Sequence, residues 1–379
     1  MRSVLSPVLY FWRNPGRTMP IALVIVLAVV LVASVTSIIH SVDLTIFTLY
    51  GYNRDLTGLT PRNSLEITQQ QIAPVRKLPQ LGALYRTHSY QIFIKTIFGK
   101  MPFPVFGLPA AGQKLILQRT GLSLAAGHMP RSGQPEAVIS EAVARNIGAH
   151  IGSVILQPDS RDAYAPIPVK LVGLLRGPCW LGLTSRKLVD AWSPLTFSGY
   201  LAFSRIPSQP MQRSLDNAIY QSVNHGQVRV WRFSGLVRET RSALSNLYLI
   251  LHIVVALIIF SIAFVCGLLS NIYFSQRLPE VATLAAIGYT RESLLARALG
   301  ETALFCAAGW LLGSLATFLL LLGLQHFVLS PKGLLINPLD VQALGFTLPL
   351  PIVILLFSLG TLWLRLQALD PVSIIERRG

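Results

Sequence analysis

The side chains able to do chemistry are thinly spread along this chain. Its seven histidines form no H-x-x-x-H pair, and its three cysteines, Cys179, Cys266 and Cys306, form no C-x-x-C pair. The spacing therefore offers no metal ligand set. No G-x-S-x-G nucleophile turn occurs. The nearest approach to a phosphate-binding loop is Gly107–Lys114, G-L-P-A-A-G-Q-K. There, Gln113 stands where the loop needs lysine, and no serine or threonine follows. Glu136 and Glu141 are close in sequence, but a strand end and a helix cap are expected between them, which makes a catalytic pair a poor reading. His252 lies in an apolar run, where an ionisable group can relay protons. It stands near the run's end with no visible partner and reads as a structural histidine. Catalysis has little to stand on, and no metal or cofactor is expected in this chain.

What the sequence does space out is a mechanical element. Ser275–Glu301, SQRLPEVATLAAIGYTRESLLARALGE, lies between two long apolar runs. Pro279 disfavours helical geometry at Leu278 and suits the first position of a new helix. Glu280 then sits beside that helix's positive end. Gly288 predicts a left-handed stop, and Tyr289-Thr290 the turn into the next helix. The helix so bounded, Pro279–Ile287, would be ~14 Å long at 1.5 Å per residue. Val281, Leu284 and Gly288 share one side, and Ala282, Ala285 and Ala286 permit close approach. No charge falls between Glu280 and Arg291. The pattern predicts a short helix that docks into a partner's groove rather than a solvated loop.

The motif R-x-x-E-x-A-x-L-x-A-x-G, made by Arg277, Glu280, Ala282, Leu284, Ala286 and Gly288, resembles the cytoplasmic signature of the MacB/FtsX/LolC permeases of ABC transporters. Glu301, Gly309 and Gly313 continue the pattern, whereas Pro279 stands where that family carries a charged residue. The resemblance implies that Arg277, Glu280, Leu284, Ala285 and Gly288 engage a cytoplasmic ABC ATPase subunit, which would bind ATP and Mg in place of this chain. It implies a homodimer or pseudo-symmetric heterodimer that moves its external domains and passes no substrate between its spans. A membrane-fusion protein is a further candidate partner. In the FtsX-like branch the same device activates an external enzyme, such as a cell-wall hydrolase, and moves no cargo.

Composition agrees with a membrane protein. The 379 residues are 52% hydrophobic and 13% charged, with a mean hydropathy of +0.54. Four runs, Pro20–Ile39, Leu247–Phe274, about Thr302–Gln325 and about Val341–Leu364, reach the ~20 residues a bilayer core needs. None contains Asp, Glu, Lys or Arg. Arg2, Arg13 and Arg17 precede the first run, Arg277, Arg291 and Arg297 lie between the second and third, and Arg365, Arg377 and Arg378 follow the fourth. The positive-inside rule then places both termini in the cytoplasm and residues 40–246 outside. That outer segment holds 22 Lys and Arg against 10 Asp and Glu, a surplus of +12. Its compartment excludes nucleic acid, and leaves an anionic membrane surface, an acidic partner, an acidic substrate or a plain solvated face. The apolar run at the N-terminus is too long for a signal peptide's core and lacks a small-x-small site, so it is expected to remain as a span.

The expected fold is thus a polytopic α-helical membrane protein with four transmembrane helices and a mixed α/β extracytoplasmic domain inserted between helices 1 and 2. Its segments are an amphipathic N-terminus (1–19), helix 1 (20–40), the outer domain (41–233), a stalk continuous with helix 2 (234–275) and the coupling region (276–300). Helix 3 (301–325), an external loop (326–340), helix 4 (341–364) and a cytoplasmic tail (365–379) complete it. Within the outer domain, Ala137–Ser140, Ser153–Leu156, Pro168–Leu175 and Gln227–Trp231 read as strands. Glu141–Ile147, capped by Ser140 and stopped at Gly148, and Leu215–Ser222 read as helices. The run from Gly127 to Gly173 is similar to the periplasmic core of MacB-type permeases. Residues 53–126 and 179–213 match nothing, and Met101–Gly112 reads as loop or an inserted lobe. Gly309 and Gly313 form a G-x-x-x-G, suited either to a dimer contact or to packing within the chain. The expected location is the bacterial inner membrane, in contact with its lipid.

Overall fold

The computed structural model describes residues 15–96, 99–192, 198–276, 283–284, 287–332 and 334–367. The amphipathic stretch before residue 15 and the basic tail after 367 lie outside them. Two compact units make up the chain. One comprises Ser41–Ser245 with His326–Leu335, the other Met1–His40, Asn246–Gln325 and Ile336–Gly379.

The first described helix, α1 (Pro15–Leu49), is apolar nearly all round. Ile25, Ala28, Val29, Val32 and Ala33 are buried at helical spacing, while Leu23, Leu27 and Leu31 are exposed on the other side. A helix apolar on both its packed and its open faces suits a lipid environment. Like it, three later helical stretches contain windows long and apolar enough to cross a membrane; among the described residues the four windows are Ala22–Ser41, Tyr248–Leu269, Glu292–Leu329 and Val341–Gly360.

The first unit is built on one mixed ten-stranded sheet. Its strands are β1 (Thr57–Pro61), β2 (Leu81–Thr96), β3 (Gly99–Leu108), β4 (Ser123–Gly127), β5 (Glu136–Ser140), β6 (Val154–Leu156), β7 (Val169–Arg176), β8 (Gly182–Ser185), β9 (Ser198–Ser204) and β10 (Val228–Trp231). They run in the order β10-β1-β9-β2-β3-β8-β5-β7-β4, with β6 beside β7. Pairs β3–β8 and β5–β7 are parallel and the rest antiparallel. Every residue of β9 is buried, as a central strand covered on both faces requires. Helices α2 (Gln69–Arg76), α3 (Ala110–Thr120), α4 (Glu141–Ile147), α5 (Arg186–Trp192), α6 (Gln209–Ser222) and α7 (Phe233–Ala243) complete the unit. Ile72, Val75, Leu215 and Ile219 from α2 and α6 pack on Leu59, Tyr200 and Ala202 of the sheet. A buried polar trio fastens α6 beneath β1: Thr57 Oγ1 donates to Asp216, and Gln212 Nε2 donates to Thr57 Oγ1 at 3.0 Å and to Asp216 at 3.1 Å.

Several expectations are corrected here. Met101–Gly112 is not loop: it contains most of β3 and the start of α3. Pro102 and Pro104 pair with Phe93 and Gln91 of β2, while the parallel partner β8 begins only at Val105. The missing N–H groups therefore fall on a side with no strand to bond. The helix expected at Leu215–Ser222 begins at Gln209, because Ser208 accepts a cap bond from Met211 N and Pro210 occupies the first turn. Ser140 occupies the cap position of α4 without capping it, since its hydroxyl instead accepts from Leu181 N at 2.8 Å. Gly148 does stop that helix, at φ +71°.

The continuous rod expected over 234–275 is interrupted. Helix α7 ends at Ala243 and α8 (Ser245–Gln276) begins after Leu244. Ser245 Oγ donates to Ser242 O at 2.7 Å, taking up a carbonyl that an unbroken helix would use itself. Helix α9 (Arg291–Leu324) starts ten residues earlier than the expected helix 3 (301–325). The fourth run is two helices, α10 (Val341–Gly345) and α11 (Pro349–Gln367). Pro349 lacks the N–H that would continue α10, and Thr347 Oγ1 bonds Leu344 O at 2.7 Å in the turn between them. Ile25, Ala28 and Val29 of α1, Ala263 of α8, Cys306 of α9, and Leu350 and Ile354 of α11 form the core of this second unit.

Candidate functional site

The segment expected to couple to a partner is described in part. Arg277, Glu280 and Ala285 lie outside the described residues, as do Ala282 and Ala286. Leu284 and Gly288 lie within them. Thr283 and Leu284 are helical, and Ile287 N donates to Thr283 O at 3.1 Å. Gly288 has φ +102°, and Tyr289 N reaches back to Leu284 O at 3.1 Å. That bond from the residue after the glycine, spanning five residues, is the one that closes a Schellman stop. Thr290 then caps α9, its Oγ1 accepting from Ser293 N at 3.3 Å. Leu284 is half-buried, whereas Ile287 and Tyr289 are 71% and 48% exposed. A helix stop, two exposed large side chains and a new capped helix thus follow one another within eight residues.

The G-x-x-x-G glycines face the chain's own first helix. A Cβ on Gly309 would lie 2.8 Å from Ile25 Cγ2, and one on Gly313 2.7 Å from Val29 Cβ. Ile25 and Val29 are four residues apart, like the glycines, so the two helices meet in matching register. Trp310 Nε1 donates to Thr347 Oγ1 at 2.8 Å, tying α9 to the start of α11.

Two polar features here escaped the sequence reading. Glu301 is 3% exposed within α9, and Arg297, one turn before it, approaches at 3.6 Å. The i,i+4 spacing was a usable signal for this pair. His40 Nδ1 lies 2.7 Å from Asp340 Oδ2, while the other oxygen of Asp340 caps α10 by accepting from Ala343 N at 3.0 Å. Three hundred residues separate that pair, and no local pattern could have joined it.

In the sheet unit, the two glutamates are employed apart. Glu136 Oε2 accepts from Arg131 N at 2.8 Å, and Glu141 takes a two-pronged bond from Arg176 at 2.8 and 3.1 Å, which holds its carboxyl below the usual range. His88 Nδ1 lies 2.7 Å from Asp190 Oδ1, and its Nε2 is buried with no hydrogen-bond partner among the described residues. Burial lowers its pKa against the opposing pull of Asp190. His252 Nδ1 turns to Tyr248 O of its own helix at 2.5 Å, the contact of a structural histidine. Among the described residues, no three His, Cys, Asp or Glu side chains converge as a metal set.

Residues 252–371 match the family model of the FtsX-like permease C-terminal domain. No curated protein matches the sequence. The extracellular domain of the noncanonic ABC-type transporter YknZ from Gram-positive bacteria is 13% identical, with a TM-score of 0.31, over 47% of this chain and 100% of that one. The periplasmic region of MacB from Actinobacillus actinomycetemcomitans is 12% identical, with a TM-score of 0.30, over 52% and 97%. Those likenesses carry no argument at such TM-scores; the matched stretch 252–371 holds Leu284, the stop at Gly288 and the glycine seam. What the chain is similar to over residues 252–371 is therefore the C-terminal domain of FtsX-like permeases.

Proposed function

We propose that this permease subunit converts ATP hydrolysis by a separate cytoplasmic ATPase into movement of its sheet unit, driving export or extraction of a substrate at the outer face of the membrane. The observation that carries the reading is the stop at Gly288. It follows the helical residues Thr283 and Leu284 between two apolar windows and leaves Ile287 and Tyr289 at the surface. An apolar helix end of this kind fits a groove on a partner. In this arrangement Leu284 is the anchor, Arg277 and Glu280 flank it, and Ala285 permits close approach. ATP and Mg belong to the partner, and the chain itself is no enzyme.

Both termini and the coupling segment face the cytoplasm in this reading, and the sheet unit faces outward. His326–Leu335 supports it, since that loop packs into the sheet unit, with Asn146 Nδ2 donating to Lys332 O at 2.7 Å. In this reading the stretches 41–245 and 326–335 share one side of the membrane. A dimer, with or without a membrane-fusion protein, completes the proposed assembly.

The test is Leu284→Asp in the full chain, co-expressed with its ATPase. A charge in a desolvated contact costs on the order of several kcal/mol if unpaired, so ATPase recruitment or stimulation should fall while membrane insertion stays normal. Unchanged recruitment and stimulation would remove the coupling reading.

A further inference from the structure

Four arginines, Arg54, Arg213, Arg238 and Arg241, line a recess of about 1040 Å³ in the sheet unit. Its apolar lining comes from Phe47, Phe233 and Val237. The Arg54 guanidinium is held over rings rather than by a carboxylate, 5.1 Å from the centroid of Phe47 and 4.8 Å from that of Phe233. The one carboxylate in the lining, Asp216, is 6% exposed and turned inward to Thr57 and Gln212. Burial raises its pKa above the ordinary range, against the opposing pull of its hydrogen bonds and of Arg232 and Arg213. Glu239, beside Arg238 in sequence, is engaged by Arg229 at 2.8 Å. Among the described residues, neither Arg213 nor Arg238 has a hydrogen bond or an ion pair. A concave surface that holds Arg213 and Arg238, without hydrogen bonds or ion pairs among the described residues, beside aromatic walls calls for an anion with an apolar part.

Chain position says which anion. Phe47 follows the apolar window Ala22–Ser41 by six residues of the same helix, and Arg241 precedes the window Tyr248–Leu269 by seven. Six helical residues rise ~9 Å, comparable with the head-group layer that flanks a ~30 Å hydrocarbon core. A soluble acidic protein would not need the arginines so close to both chain crossings. We infer that this recess binds the phosphate head group of an anionic membrane lipid, with Arg213 and Arg238 on the phosphate and Phe47 and Phe233 against the glycerol and upper acyl chain. The site rests on the membrane reading of the apolar helices and not on ATPase coupling, so either can fail without the other.

The test uses the full chain purified in neutral detergent, with bound lipid counted by native mass spectrometry. Phosphatidylglycerol, phosphatidylcholine, inorganic phosphate and oligoglutamate serve as separate probes. Phosphatidylglycerol should be retained at least tenfold more than phosphatidylcholine. Arg213→Gln with Arg238→Gln should lower that retention tenfold or more, while Arg213→Lys with Arg238→Lys keeps most of it. An unchanged melting temperature without lipid would show that the Gln variant is folded. Equal retention of the two lipids, or undiminished retention in the Gln variant, overturns the site. Displacement of phosphatidylglycerol by inorganic phosphate at equal concentration would reassign it to free phosphate, and tighter binding of oligoglutamate to an acidic protein. Either result sinks the lipid assignment.

Discussion

The glycine seam between α9 and α1 permits a prediction worked from distances. Gly313→Val would set a Cβ 2.7 Å from Val29 Cβ, 3.0 Å from its Cγ1 and 3.1 Å from Val26 O. Carbon atoms rest at ~3.5–4.0 Å, so the helices must part by roughly 1 Å along this stretch. Val29 cannot retreat, being fully buried with Ile25, Ala28 and Cys306 around it. Overpacking of that kind costs ~1–3 kcal/mol, read as a lower SDS midpoint for unfolding in mixed micelles. A cross-link makes the geometry explicit. With native cysteines replaced, Gly313→Cys and Val29→Cys should oxidise within one chain, since their Cβ atoms would stand 2.7 Å apart, roughly 0.8 Å closer than the ~3.5 Å lower bound of a disulfide, and the same parting of the helices lets the bond close. If Gly313→Cys alone joined two copies instead, and Gly313→Val dissociated a dimer without moving the unfolding midpoint, the seam would belong between chains and this reasoning would be wrong.

Three further outcomes are expected. Gly288→Val, at φ +102°, should strain the helix stop by ~1–2 kcal/mol and reduce ATPase stimulation without affecting insertion; wild-type stimulation would argue that the stop is incidental. Thiols introduced at Gln157 and Lys332 should label from outside the cell and one at Glu292 should not, and external labelling at Glu292 would reverse the topology. For His88 the folded pKa lies below the unfolded value of about 6.5. Between those two values the unfolded chain holds more protons, so stability is present above pH ~6.5 and falls as pH drops below it. Thermal midpoints of the wild type should decline from pH 7 to 5 more steeply than those of His88→Gln; parallel declines would show that His88 is not responsible.

What could be read from the sequence was whatever the backbone itself dictates. Gly288 and Gly148 stop their helices because a left-handed residue is cheapest as glycine, a fact carried by one position. Long apolar runs announced their helices for the same local reason. Proline misled twice, in opposite directions. Pro102 and Pro104 suggested a loop but sit on an unpaired side of β3, whereas Pro349 was passed over inside an apolar run and divides it. Which side of a strand lacks a neighbour depends on β8, eighty residues away, and no window around residue 102 contains it. The same distance problem hid the coupling of His40 to Asp340 and the meeting of Arg54 with Arg213 and Arg238. The glycine pair was visible as a motif, but its partner was not, because any helix with room can fill it.

The placement of β1 has a consequence for how the protein is made. Leu59 stands opposite Val230 and also beside Tyr200, so the first strand emerges long before either neighbour exists. Until β9 and β10 follow, β1 presents two unpaired edges, and its closure waits on a loop of well over a hundred residues. Loop length itself adds little, ~0.6 kcal/mol per doubling, but pairings so distant in sequence slow the search for the native arrangement. Completion of the sheet is thus deferred until β10 has been delivered, shortly before the chain turns back into α8. A nascent domain held open for that interval is exposed to edge-to-edge association. Variants that weaken the β1–β10 pairing should therefore appear first as loss of yield, before any loss of activity in the molecules that do fold.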